Sequence, residues 1–161
     1  MQEELDYWIK EVNEFNPKTK KEEKKKFRGN PSWENAFQDS WITDEADKAL
    51  ITFAKNAGEY MAPVYDRDND ALSNSQIRNV FGEIKRIQMK GLNDKDNRSS
   101  FYLLRAKVAY AAGRNKTKSM ALFEKIFNKA WLLVDGDTKK FQNFCNFLEA
   151  ILAYHKSFGG K

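Results

Sequence analysis

At 161 residues, with 41% hydrophobic and 14% aromatic side chains, the chain is long enough for one domain with a real core and too apolar to be disordered throughout. Its single cysteine, Cys145, excludes an internal disulfide and fits a reducing compartment. No apolar run approaches the roughly 18–20 residues that span a bilayer, and the acidic start MQEELDYWIKE lacks a signal-peptide apolar segment, so the expectation is a soluble, cytoplasmic protein with no membrane partner.

The net charge of +5 is unevenly spread: −4 over residues 1–17, +5 over 18–28, −6 over 29–72, +7 over 73–116 and +3 over 117–161. Local basic charge of this kind is the footprint of a polyanionic partner, although lysine-rich faces are as often simply solvated. The 8 glycines and 3 prolines, all three prolines before residue 64, leave long stretches free for helices. The expected fold is all-α: a small bundle of about five helices, preceded by an N-terminal helix and a linker.

In chain order, residues 3–15 present Leu5, Trp8, Ile9, Val12 and Phe15 at helical spacing and read as an amphipathic helix. Residues 16–32, with Asn16-Pro17, a lysine run and Gly29-Asn30-Pro31, read as a linker, so residues 1–32 form an extension and 33–161 the helical domain. A helix is expected over 44–61, capped by Thr43 and stopped by Pro63. The stretch DRDND places Asp66, Asp68 and Asp70 at alternate positions but lacks the glycine and glutamate of a calcium loop, and reads as solvated. Next comes a helix over 75–89, with Ser73 and Gln76 as a capping box and Ile77, Val80, Phe81, Ile84 and Ile87 on one face. Helices over 100–112 (closed by Gly113), 117–134 and 138–158 complete the bundle.

Chemistry is scarce. His155 falls within the stripe of Phe144, Leu148, Ile151 and Phe158, the place of a packed core histidine. Cys145 lies ten residues before it, about 15 Å along a helix, too far for a Cys–His pair within that element. There is no phosphate-loop, dinucleotide or nucleophile-elbow motif. No catalytic residue, metal site or cofactor is expected, and the chain reads as a non-enzyme.

Three motifs carry a resemblance: Ser75-Gln76-Ile77-Arg78; the run from Leu104 to Arg114, LRAKVAYAAGR; and Phe144 followed by Phe147-Leu148-Glu149-Ala150-Ile151-Leu152-Ala153-Tyr154-His155-Lys156. In this order and spacing the chain resembles the small subunit of type III-A CRISPR effector complexes, the Csm complex, over roughly residues 41–161. The resemblance departs at Ala106, where a proline is common, and does not extend to residues 1–32. It implies a helical, non-catalytic antiviral subunit. Several copies would line the complex, in contact with backbone and large subunits, with one another, and with target RNA paired to guide RNA.

Helix geometry offers candidates for that contact. Arg78 and Lys85 lie seven residues apart, about 20° apart in azimuth, and Lys107 and Arg114 repeat the spacing on the next helix. These four are expected to form one positive strip for RNA, with Arg86 and Lys116 at the rim (Lys90 is a further rim candidate). Backbone-directed binding by such residues is sequence-tolerant, leaving readout to the guide. Arg78 or Lys107 could instead pair with an acid such as Glu83 or Glu149 inside the domain. Tyr110 is the aromatic best placed to stack on a base, and Arg105, among Phe101, Val108 and Ala112, reads as a partly buried structural arginine. The competing reading is a self-associating helical module that binds no nucleic acid; the wide apolar arc of the last helix is its main support.

Overall fold

The computed structural model describes residues 7–64 and 67–160. Its elements are β1 (Ile9–Asn16), β2 (Lys21–Arg28), α1 (Trp33–Ala36), α2 (Ser40–Thr43), α3 (Lys48–Met61), α4 (Asn74–Lys90), α5 (Lys95–Arg114), α6 (Lys118–Val134) and α7 (Thr138–Ser157). The fold is mainly helical, but a two-stranded antiparallel sheet makes a pure all-α description too strong.

The last helix is the hub. α7 packs on α3 most extensively and also on α2, α6 and α4. Its close approach to α3 depends on Gly58: a Cβ there would fall 2.7–2.8 Å from atoms of Ile151, Tyr154 and His155. Around Phe147 the rings of Phe37, Trp41 and Phe53 gather at centroid distances of 5.3–6.2 Å. A second aromatic group, Phe101, Phe127, Phe141 and Phe144, joins α5 and α6 to α7. The wide apolar arc of α7 is thereby consumed within the chain: Phe141, Phe144, Phe147, Leu148 and Ile151 are all buried.

The expected N-terminal helix is instead a strand; its first residues, with Leu5, lie outside the described residues. β1 pairs in antiparallel register with β2, Ile9 opposite Arg28 through Asn16 opposite Lys21. The residues read as a linker therefore supply a strand and a turn. The stripe that suggested a helix is split: Trp8 and Ile9 pack against the core, whereas Phe15 is 64% exposed. Strand partners satisfy the backbone, and a cross-strand ion pair (Lys25 Nζ to Glu14, 3.0 Å) adds to it.

Other boundaries shift for local reasons. α3 starts at Lys48, not Asp44, because Asp47 rather than Thr43 caps it, accepting from Leu50 N at 2.9 Å and from Trp41 Nε1 at 2.7 Å. α5 starts at Lys95 under the cap of Asp94 and runs through Gly113 to Arg114. α6 and α7 match their expected spans to within a residue.

The acidic loop is not simply solvated. Asp68 and Arg28 form an ion pair at 2.6 Å with side chains 1% and 4% exposed. Arg28 also donates to the carbonyls of Tyr60 (2.7 Å) and Ala62 (2.9 Å), while Asp68 accepts from the backbone N–H of Val64 and Asp70. Burial works against the Asp68 carboxylate, but the guanidinium and the two N–H donors outweigh it and hold its pKa below the ordinary value. Asp66 lies outside the described residues.

Candidate nucleic-acid interface

α4 is opened by Gln76, whose Oε1 accepts from Ser73 N–H at 2.9 Å. Ile77, Val80, Ile84 and Ile87 are buried and fix the rotation of the helix. That rotation sends its charged residues to two different flanks.

Toward α7 lie Arg78 and Lys85. Lys85 is ion-paired with Glu149 of α7. Arg78 is exposed and, with Phe81, Leu152 and Lys156, lines a shallow groove of about 270 Å³. Among the described residues Arg78 forms no ion pair.

Toward α5 the centre of charge is Glu83. Arg86 approaches it at 3.2 Å and Lys107 at 3.8 Å. The Arg86 hydrogen bond, with the charges of Lys107 and Arg86 added to it, outweighs the opposing effect of burial and holds the Glu83 carboxyl below its usual range. Arg86 also donates to Asn97 Oδ1 (3.1 Å) and Ser100 Oγ (2.7 Å). The end of α5 carries Arg114, which donates to the Tyr110 hydroxyl at 3.0 Å and sits 5.8 Å from that ring's centroid. An open cleft of about 500 Å³ between the start of α4 and the end of α5 is lined by Ser75, Gln76, Asn79, Lys107, Tyr110 and Arg114. Lys116 is exposed in the turn that follows.

The six sequence candidates thus all lie on the surface of α4, α5 and the turn after α5, but the four principal ones do not line one groove. Arg78 and Lys85 flank α7; Lys107 and Arg114 flank the α4–α5 cleft. Lys107 pairs with Glu83, as weighed from the sequence; Glu149 pairs with Lys85, for which the sequence suggests no internal partner, and not with Arg78. Tyr110 is 65% exposed, with the Arg114 guanidinium against its ring.

Arg105 is corrected: it is exposed, with its guanidinium 5.3 Å from the Trp131 ring centroid, because α5 turns Phe101, Leu104 and Val108 inward instead. Sequence reasoning missed Lys156 beside Arg78, and buried Asn97, which links Arg86 to the Gly91 carbonyl. Neither has a local sequence signal; each is brought in by helix packing.

His155 is buried as a core histidine, its Nε2 2.7 Å from the Leu72 carbonyl. Burial lowers its pKa against the raising effect of that hydrogen bond. Burial also pushes the Cys145 thiol up to about 12, which leaves it unreactive at neutral pH. Among the described residues no group of three or more metal-ligating side chains converges, and no helix is long and apolar enough to cross a membrane.

A family model described as Csm2 Type III-A matches residues 44–161. The chain belongs to the Csm2 type III-A family. It is 29% identical over 126 residues to the CRISPR system Cms protein Csm2 of Streptococcus thermophilus, an alignment covering 76% of this chain and 95% of that protein. No solved structure gives a significant match. This is the small subunit of a type III-A Csm complex, as the three helical motifs suggest. All six candidate cations fall within the span matched by the Csm2 family model, and the hairpin falls before it.

Proposed function

We propose that this Csm2-family chain is a non-catalytic subunit that holds target RNA, paired to guide RNA, against the outer surface of α4 and α5. The observation that carries the reading is the α4–α5 cleft, where Lys107, Arg114 and the exposed Tyr110 face the first turn of α4. Two cations supply phosphate contacts and the helix start supplies backbone N–H groups and a positive dipole end. Arg78 and Lys85 extend the positive surface over the far flank of α4, with Arg86 and Lys116 at its edges. Contacts of this kind position a backbone and leave sequence to base pairing.

Binding has to compete with internal pairing. The Lys85–Glu149 and Lys107–Glu83 pairs are exposed, so exchanging a carboxylate for a phosphate costs little. The backbone and large subunits of the complex, and further copies of this chain, are the protein partners; a reducing, cytoplasmic setting fits the lone thiol.

One observation favours the second reading, a self-associating module without nucleic-acid contact. Leu103 and Tyr110 on the outer face of α5 are 60% and 65% exposed, an apolar pair that a neighbouring copy could cover. Ultraviolet cross-linking of target RNA within the assembled complex, followed by peptide mass spectrometry, separates the two. RNA adducts in the peptides spanning 75–90 and 101–116 are expected; protein–protein adducts alone at those peptides would favour the module.

A further inference from the structure

The β1–β2 hairpin is built as a fixed arm. Its base is tied to the helical body by the buried Arg28–Asp68 pair, by Lys26 near Glu59, and by Trp8, whose ring meets Phe53 and Tyr60 edge-on at 5.4 and 6.3 Å. At the same end Gly29 passes so close to Tyr7 that a Cβ would lie 1.8 Å from its carbonyl oxygen. A two-stranded hairpin is marginal by itself, so this anchoring is what holds it in place.

The far end has a different composition. Lys18, Lys20, Lys21 and Lys24 surround the turn, all exposed and without an ion pair among the described residues. Lys20 sits at φ 57°, a left-handed conformation in which glycine or asparagine is less strained. A lysine kept there adds a cation to the tip at a conformational cost. Beside it Phe15 is 64% exposed, on the same face as Lys24 two residue pairs along the ladder, with Glu22 directly across and Lys21 on the opposite face.

We infer that the hairpin tip is a second nucleic-acid site: single-stranded nucleic acid lays its phosphates along Lys18, Lys20 and Lys24, with Lys21 adding charge from the opposite face, and stacks a base on Phe15. An aromatic platform among cations is the general arrangement for sequence-tolerant single-strand binding. The site is independent of the α4–α5 surface.

The test uses the full chain with labelled oligouridylate and oligothymidylate, read by fluorescence anisotropy at two salt concentrations. The variant K18S/K20G/K21S/K24S should weaken binding of at least one strand by tenfold or more and flatten the salt dependence by about 0.7 for each phosphate no longer neutralised. Whichever strand is weakened identifies the ligand. Phe15→Ser should weaken the same strand severalfold while leaving binding to a blunt RNA duplex unchanged. Lys20→Gly alone should lower affinity while thermal stability is unchanged or higher, which separates binding from folding. Absence of strand binding by the parent chain, or equal affinity and salt slope in parent and quadruple variant, overturns the inference. So does a quadruple variant that loses binding only to a polyglutamate peptide, which would make the tip a docking point for an acidic protein.

Discussion

Arg28–Asp68 and Lys107–Glu83 are both cation–carboxylate pairs, yet they belong to different parts of the molecule's physics. The first is nearly inaccessible, with four hydrogen-bond partners fixed around it; the second is 3.8 Å apart with side chains 46% and 26% exposed. A buried pair cannot release either charge without stranding the other, so it serves the fold. An exposed pair can open to a competing anion at small cost, so it leaves the cation usable. Burial, rather than the count of positive charges, separates the cations committed to the fold from those left open to a partner.

Breaking the buried pair should have the largest effect. Arg28→Ala strands Asp68 and is expected to cost about 3–5 kcal/mol in urea unfolding, with Asp68→Asn in the same chain recovering part of it. A loss below about 1 kcal/mol would mean the pair is solvated and the contrast is false.

Removing the hairpin outright sharpens the point. We propose 33–161 as the autonomous helical domain; it should still unfold cooperatively, less stably than the full chain, and Asp68→Asn should stabilise the truncated chain. A truncated chain without helical circular dichroism would move the domain boundary toward the N-terminus.

His155 gives an intermediate effect through pH. Its pKa is lowered in the fold from the ordinary 6.5, so the folded chain binds the proton less readily than the unfolded one. The stability this neutral ring contributes is complete above pH 6.5 and is lost as pH falls through the folded value. Relative to His155→Gln, the parent should therefore lose stability below pH 6.5, by at most about 1.4 kcal/mol per pH unit. Parallel curves for the two chains would contradict the assignment. The smallest effect belongs to the exposed pairs: Lys85→Ala and Lys107→Ala should each change stability by less than about 1 kcal/mol.

Legibility in the sequence follows the range of the determining contacts. α4, α6 and α7 are long and amphipathic, and their period alone locates them. The hairpin is misread because Trp8, Ile9, Val12 and Phe15 fit a helical spacing, while what makes them a strand is pairing with 21–28, which no local pattern carries. Asp47 outcompetes Thr43 as a cap through its contact with Trp41, again a packing effect. The cations of α4 and α5 are legible as residues but not as neighbours. Lys85 meets a carboxylate 64 positions away, and Arg78 meets Lys156 only because α7 lies alongside α4.

The most direct measurement is target-RNA binding by the assembled Csm complex as a function of salt, with Arg78, Lys85, Lys107 and Arg114 replaced singly by alanine. Each variant that still folds and assembles should weaken binding about equally for unrelated target sequences. Each should also reduce the slope of log affinity against log salt by about 0.7, the single-strand value per phosphate. Four variants that assemble normally and bind with an unchanged slope would contradict an RNA-contacting α4–α5 surface and leave the chain as a spacer between its protein partners.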